Sequence, residues 1–463
     1  MLFNTLDIVV AGSGPAGISA AVKLHRLGFD VLLIAAGSSS NTPELQSLSP
    51  GVLTLAGTIG LDPERICKHL MPVLKSRILW SDGLEEREPG SGFLTNRPNY
   101  DNELSMFAEE MGVKMMKATK IIDCQRLNDH WELKINQQGT YGTLKSKFLV
   151  DATGKKSILR GKKNRVATST IAITGSWKNT AHPKASTQLE STSNCWLWGA
   201  RSQNDLFHGT VFLDPTGISG RTKITEQYID ALGKTKLFKD CLHGSLVTTI
   251  TAVDVTPYYY ETPAGYDFIK LGESNIGFDP ISSQGVQQAM SSAIQAAIVV
   301  NTLYTDSSNA ETALEFYVSR QQQSIKKHLV NSRNSYLTAE PWHDQPFWKN
   351  RISKTLPIPH VPSSDSDLWN SETIVRISSE TEFKPVACIF GDHVVRKTGI
   401  VHPDLDEPIV YYSNFNAAEM LQCISGKSSV SGIINNWAEL MPHDSAAQFL
   451  DKFKLLGILE AAR

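Results

Sequence analysis

The chain has 463 residues, with 41% apolar, 8% aromatic and 20% charged side chains; at roughly 100–200 residues per domain this is a multidomain globular protein, which excludes a disordered chain or a disulfide-stapled mini-protein. Lysine and arginine total 45 against 47 acids, a net charge of -2, so no field of one sign attracts nucleic acid or a membrane surface, and neither is expected as a partner. The apolar run Ile8–Val10 leads straight into glycines, with no basic flank or small-residue cleavage site and no long apolar span elsewhere, so neither export nor a membrane segment is expected and the compartment expected is the cytoplasm.

Leu6-Asp7-Ile8-Val9-Val10 reads as a buried strand, Gly12-Ser13-Gly14-Pro15-Ala16-Gly17 opens a helix running through Leu27, and Val31–Ile34 is a second strand. The GxGxxG pattern therefore stands between a strand and a helix, where it has a mechanism: a tight turn, close backbone approach to a pyrophosphate, and close helix packing. The acid that usually binds the adenosine ribose after the second strand is missing, since Ala35, Ala36 and Gly37 follow Ile34. Either cofactor affinity is weak or a hydroxyl among Ser38 to Ser40 substitutes.

The segment Gln46–Gly51 is a loop, and Val52–Leu61 is a helical stretch. Asn102–Gly112 is an amphipathic helix with Leu104, Phe107, Ala108 and Met111 on one face, and Arg97 stands before it. Strands are expected at Lys120–Arg126, Trp131–Asn136 and Phe148–Asp151, the last ending in the turn Asp151-Ala152-Thr153-Gly154. The Asp151 side chain either caps that turn or joins in cofactor binding. Residues 168–262, rich in Thr, Ser and aromatics with short alternations, suggest an antiparallel sheet. In it Trp196 and Trp198 fall on one face, as core residues or as the wall of a substrate cavity. Phe268–Ser274 is again strand then turn. After Asp279-Pro280, a helix starts at Gly285 with Val286, Ala289, Met290 and Ala293 on its packing face. Val361–Asp367 reads as a linker, and a C-terminal unit follows with strands near Val386–Phe390 and Val410–Tyr412 and helices at Ala417–Ile424, Ser431–Leu440 and Ser445–Leu456. Cys67, Cys124, Cys195, Cys241, Cys388 and Cys423 have no C-x-x-C spacing, and His328, His343, His393, His402 and His443 have no metal-like pairing, so no metal is expected and the histidines read as structural or surface residues.

The glycine fingerprint, the Asp151–Gly154 turn and the Gly272-Glu273…Asp279-Pro280…Gly285 segment together resemble, in order and spacing, the FAD-dependent aromatic hydroxylases and flavin-dependent halogenases over about residues 6–350. The resemblance implies an α/β architecture: a Rossmann-like FAD-binding domain of the aromatic hydroxylase type (1–167, with a partly substrate-facing insertion near 60–95), an antiparallel β substrate domain (168–264), a return to the FAD domain (265–360) and a small C-terminal α+β unit (361–463). It implies FAD held by Gly12, Gly14, Pro15, Ala16 and Gly17 at the pyrophosphate, by Ser47 and Arg97, by Thr153 and Gly154, by Gly272 and Glu273 at the ribityl chain, and by Asp279, Gly285 and Val286, where a helix N-terminus faces the flavin ring. Glu273 stands where the family has Asp.

Within that superfamily the sequence looks most like the flavoproteins that mature cysteine tryptophylquinone amino-acid oxidases, on the Ser47–Gly51 loop, the Asp344–Trp348 segment and the C-terminal unit. That likeness implies a monooxygenase hydroxylating a tryptophan inside a precursor protein of a quinone-cofactor oxidase. Its partners would be the precursor, dioxygen and an external reductant, either reduced flavin or NAD(P)H. No dedicated acid or base is legible, because the cofactor carries the chemistry. The alternative is a flavin-dependent halogenase or small-molecule aromatic hydroxylase. A halogenase requires a lysine between flavin and substrate, for which Lys68 and Lys75 are candidates, and a W-x-W-x-I-P signature, of which Trp196-Leu197-Trp198 is present but the Ile-Pro part is not. A second alternative is a flavin-holding maturation chaperone without turnover.

Overall fold

The first strand, Leu6–Ala11, is apolar at every position but Asp7, and Ile8, Val9 and Val10 are fully buried, as a strand covered on both faces requires. In the computed structural model, which describes residues 5–37, 45–89, 92–202, 204–216, 220–353, 369–424 and 426–462, this strand pairs in parallel with Val31–Ile34 on one side and with the end of a long strand, Thr140–Asp151, on the other. The helix Pro15–Arg26 connects the first two. On its other edge the long strand serves two partners in succession. Its first half pairs antiparallel with Trp131–Gln137, which continues to Thr119–Arg126, and its last residues take Phe268–Lys270 as a parallel neighbour. Lys114–Met116 closes the other edge beside Val31–Ile34.

Register decides where the site falls. Ala11, Asp151 and Lys270 lie side by side at the ends of three parallel strands, so the turns that follow them leave the same edge of the sheet together. The carboxyl ends of parallel strands are where open α/β sheets bind ligands.

The second sheet runs in the order Ser245–Leu246, Ile171–Lys178, Phe207–Leu213, Cys195–Arg201, Ser186–Ser191, Lys75–Leu79 and Leu84–Arg87, with Thr251–Asp254 also on Ile171–Lys178. It departs from the expected antiparallel sheet of residues 168–264 in two ways. Two strands come from the segment near 60–95, and the junction of Lys75–Leu79 with Ser186–Ser191 is parallel. A helix that the sequence did not reveal, Arg221–Gly233, covers one face, burying Tyr228, Ala231 and Leu232 against Ile173, Leu197 and Val211. The Tyr228 hydroxyl accepts from Trp177 Nε1 at 3.0 Å and donates to the Gly209 carbonyl at 3.0 Å. On the opposite face Trp80, Trp196, Phe212, Tyr336, Phe347 and Trp348 form one aromatic layer.

The helix expected at Asn102–Gly112 begins earlier, at Arg97, and runs to Glu110. Asn96 accepts from the Asn99 N–H and Pro98 occupies the first turn, which is where a proline fits a helix start. Arg97 is thus the first helical residue. The helix starting at Gly285 runs to Thr305, and a longer one covers Ala310–Leu337.

The described residues form two compact units, one holding the chain up to Asn301 and again from Tyr317, the other holding Thr302–Phe316 with the C-terminal residues. In the second unit Ile374–Ile377 lies between Ser428–Ser429 and Leu459–Ala461, a hairpin is made by Glu382–Phe390 and His393–Val401, and the helices Ala417–Gln422, Val430–Ala438 and His443–Leu455 enclose Trp437, Phe449 and Phe453. The expected linker Val361–Asp367 lies outside the described residues. Among the described residues no helix is long and apolar enough to cross a membrane, and no cluster of three His, Cys, Asp or Glu side chains is placed to hold a metal ion.

Candidate cofactor and active site

The three fingerprint glycines do different work. Gly12 has φ +108°, and a Cβ there would stand 2.3 Å from the Ala152 carbonyl oxygen; a Cβ on Gly17 would stand 1.8 Å from the Gly12 carbonyl oxygen. Both are required by the packing of one turn on another. A Cβ on Gly14 would meet nothing within 4 Å, so protein packing does not demand a glycine there. Gly14 is the N-cap of the helix Pro15–Arg26, with no side-chain cap and no acid in the first turn. The first-turn N–H groups and the positive end of the helix are left facing open space, the arrangement that binds a pyrophosphate.

Asp151 is fully buried and accepts from Thr153 N (3.0 Å), Thr153 Oγ1 (2.6 Å), Ser157 Oγ (2.7 Å) and Leu159 N (3.0 Å). Its carboxylate is therefore the cap of the turn, which resolves the choice the sequence left open. Gly154, at φ +71° with nothing within 4 Å of a Cβ, presents open backbone beside it. Gly272, at φ +50°, would bring a Cβ to 3.1 Å from Ala289 Cβ and 3.4 Å from Ala16 Cβ, so its turn is wedged between the two helices that start at the site. The Gly272 N–H donates to Ser292 Oγ at 3.2 Å. Glu273 holds its place through its backbone carbonyl, which accepts from Tyr258 Oη at 2.6 Å, while its side chain is exposed.

Ser47 lies on the strand Leu45–Leu48, opposite Leu94. Arg97 donates to Gln46 Oε1 at 2.8 Å and to both Asp101 oxygens at 3.1–3.2 Å. Burial raises the Asp101 carboxyl above its ordinary value, and the Arg97 guanidinium opposes that rise. The Ser49 hydroxyl bonds Gln287, and Tyr100 Oη reaches Met290 Sδ at 3.5 Å, so both segments sit against the first turns of the helix Gly285–Thr305. Asp279 is turned inward: it accepts from Ile281 N at 3.1 Å and from Tyr336 Oη at 2.9 Å, and burial raises its carboxyl. Val286 is half-buried and a Cβ on Gly285 would be unobstructed. Where the ribose-binding acid is missing, Ala35 is buried, its N–H donating to Met116 O and its carbonyl accepting from Thr119 N. Ser38–Ser40 lie outside the described residues.

Trp196 is buried in the aromatic layer, stacked on Phe212 with centroids 3.7 Å apart and edge-on to Trp80. Trp198 shares its face and is half-buried. Neither lines the cavity of about 110 Å³ that opens beside this face between Leu45, Met71, Leu94, Ser202 and His208. Lys68 lines its rim and is exposed. Lys75 is bonded to Glu86 at 2.8 Å and Glu88 at 2.9 Å. The strand register puts Ile78 in line with Leu189 and Trp198, so Lys75, an odd number of residues away, projects to the face opposite the tryptophans.

Two of the buried histidines are His208, which the sequence gave no reason to single out and whose Nδ1 lies 3.0 Å from Ser176 Oγ, and His328, stacked on Phe278 at 4.0 Å. Burial pushes both imidazoles down to about 4. The folded chain keeps them neutral where the unfolded chain protonates them, so the unfolded state binds more protons and stability falls as pH drops from the ordinary histidine value towards 4. At about 1.4 kcal/mol per pH unit, the His208→Gln/His328→Gln double variant is expected to show a much smaller loss of urea midpoint between about pH 6.5 and 4.5 than the wild type. An equal loss in both chains would rule out this source.

The family described as tryptophan halogenase matches residues 85–389, more than half of the chain. The chain belongs to the tryptophan halogenase family. The FAD-dependent oxidoreductase family matches residues 7–161, which include the glycine fingerprint and the Asp151–Gly154 turn, and this family member is an FAD-dependent oxidoreductase with FAD as its cofactor. It is 27% identical over 344 residues to a tryptophan 2-halogenase of Chondromyces crocatus, covering 68% of this chain and 64% of that relative, and so spans less than two thirds of the relative's length. It is 23% identical over 368 residues to a putative FAD-dependent oxidoreductase, LodB, of Marinomonas mediterranea, covering 75% of this chain and 97% of LodB. The fold is that of the peptidyl tryptophan dihydroxylase QhpG, essential for tryptophylquinone cofactor biogenesis (TM-score 0.76, 20% identity, 98% of this chain and 100% of that one), and of the flavin-dependent halogenase CmlS (TM-score 0.80, 17% identity, 99% and 96%). Both likenesses extend over nearly the whole chain, so the C-terminal unit does not separate the two activities.

Proposed function

We propose that this protein is an FAD-dependent monooxygenase that hydroxylates a tryptophan within a precursor protein on the way to a tryptophylquinone cofactor. The observation that carries this choice over halogenation is that neither candidate lysine is enclosed in a site: Lys75 is turned to the opposite face and tied to two glutamates, and Lys68 is exposed at the rim of the cavity, whereas the halogenase reading needs a lysine between flavin and substrate. The missing Ile-Pro after Trp196-Leu197-Trp198 supports it, and the peptidyl nature of the tryptophan is taken from the likeness to a peptidyl tryptophan dihydroxylase.

Bound and reduced FAD supplies the activation of dioxygen. The chain's residues do the rest. Gly14 and the first turn of the helix Pro15–Arg26 hold the pyrophosphate, and Gly12 and Gly17 let the neighbouring turns close around it. The N-terminus of the helix Gly285–Thr305 offers N–H groups to negative charge on the ring. The aromatic layer of Trp80, Trp196 and Trp348 keeps water from that side of the second sheet. An indole ring is electron-rich enough to react without a protein base.

The test is co-expression with a candidate oxidase precursor, followed by mass spectrometry of its tryptophan peptide. The expected result is a gain of one or two oxygens that disappears with Gly14→Val and persists in Lys75→Met. Bromination of free indole by the purified protein with reduced FAD, oxygen and bromide, lost in Lys68→Met or Lys75→Met, would instead establish a halogenase. A precursor that is bound but unmodified would favour the chaperone.

A further inference from the structure

The long helix Ala310–Leu337 carries a buried polar stripe, Tyr317, Gln321, His328, Ser332 and Tyr336, at spacings of three to four residues or their sum, which place all five on one face. The stripe is fastened to one short stretch of chain. Tyr317 Oη donates to the Lys270 carbonyl at 2.8 Å; Gln321 Oε1 accepts from Asn275 Nδ2 at 3.0 Å; His328 Nε2 accepts from the Asp279 N–H at 2.6 Å; Tyr336 Oη donates to the Asp279 carboxylate at 2.9 Å. Ser332 Oγ stands 3.3 Å from His328 Nε2. The segment Lys270–Asp279, which holds the Gly272-Glu273 turn and leads into Asp279-Pro280, is therefore pinned along its length to one rigid helix.

Such a seam is an unusual way to pack a helix. Apolar side chains would bury it without the desolvation cost that each polar group carries unless it is bonded. What directional bonds provide, and dispersion contacts do not, is a fixed register. Asp279 is held twice, by its N–H and by its carboxylate, and its other oxygen caps the turn at Ile281. For Nε2 to accept, the His328 proton must sit on Nδ1, so this clamp needs a neutral imidazole.

We infer that His328 and Tyr336 are positioning residues for the flavin: by clamping the Asp279-Pro280 turn from behind they set where the N-terminus of the helix Gly285–Thr305 stands, and with it how far that terminus favours the reduced, negatively charged ring over the oxidised one. The inference rests on the assignment of Gly285 and Val286 to the flavin site. Both act through the Asp279-Pro280 turn, and neither needs to touch the cofactor.

The experiment measures the two-electron midpoint potential and visible spectrum of FAD reconstituted into purified full-length His328→Gln, His328→Leu, Tyr336→Phe and Tyr317→Phe, with melting temperatures of the same samples. Tyr336→Phe and His328→Leu are expected to weaken reduced FAD about tenfold relative to oxidised FAD, a potential lower by about 30 mV. His328→Gln keeps an acceptor for the Asp279 N–H and is expected to stay near the wild-type potential. Tyr317→Phe removes an equally buried tyrosine bond at the far end of the stripe, and is expected to lower the melting temperature as Tyr336→Phe does while leaving the potential unmoved. Equal potentials throughout, with FAD still bound and only the melting temperatures lowered, would overturn the positioning role. Failure of the wild type to bind FAD would overturn the site assignment itself, and is told apart by the absence of a flavin spectrum.

Discussion

Gly14→Val is expected to weaken FAD binding by at least about 100-fold, close to 2.7 kcal/mol, while leaving the melting temperature of the FAD-free protein unchanged. Gly17→Ala is expected to lower that melting temperature by several degrees with no cofactor present. The contrast follows from what each added carbon meets. At Gly14 it enters open space at an uncapped helix start, where only a ligand is displaced. At Gly17 it falls inside the Gly12 carbonyl, and relieving an overlap of that kind costs about 1–3 kcal/mol or more of folded-state stability. Thermal melts of the FAD-free variants and flavin fluorescence titrations measure the two effects separately. If Gly14→Val were as destabilised as Gly17→Ala without FAD, the glycine would be structural and the pyrophosphate site would lie elsewhere.

Asp151→Ala is expected to cost about 3–5 kcal/mol of unfolding free energy and to weaken FAD as well. Four donors converge on this carboxylate, two of them backbone N–H groups in a turn with no alternative partner, and each buried donor left unpaired costs about 1–3 kcal/mol. Asp151→Asn returns one acceptor oxygen to Thr153 but turns an NH₂ group towards the Leu159 N–H, so about half of the loss is expected to remain. Urea unfolding of FAD-free protein gives the stability change. Since Thr153 and Gly154 ride on the same turn, a variant that lost stability but bound FAD normally would show that this turn is not part of the cofactor site.

The parts of the site that were legible in the sequence are those whose chemistry is local. A glycine that must approach another backbone closely, a helix that must start beside it, and a strand that must be apolar on both faces are each written within a few residues, which is why Leu6–Ile34 and the segment from Phe268 to the helix at Gly285 were read correctly. What was missed depends on residues far apart in the chain. Nothing in Lys75–Leu79 announces that it joins Ser186–Ser191 in parallel, because the decision is made by the aromatic layer that Ile78 shares with Trp198 and Trp348. Asp151 was ambiguous until Ser157 and Leu159 were seen to donate to it. The helix expected from Asn102 starts five residues earlier, because Asn96 caps it and Pro98 fits its first turn. The roles of His328 and Tyr336 are not legible in the sequence, because a polar stripe on a helix reads as a solvated face until the surface opposite is known to be Asp279.

The pairing of Phe268–Lys270 with Leu149–Asp151 also bears on how the protein is made. On the ribosome, the edge of the first sheet emerges complete except for this strand, which is translated only after the entire second sheet. At synthesis rates of about 5–20 residues per second, the hydrogen-bonding groups of Leu149–Asp151 wait on the order of ten seconds for their partner, as a bare edge of the kind that draws other chains into aggregates. FAD offers no early rescue, since the Gly272-Glu273 turn arrives with that same strand. On the proposed site assignment the cofactor is expected to load late in biogenesis, after the nascent chain has passed its most exposed stage, and chaperone supply during translation, more than flavin supply, is expected to limit the yield of folded protein.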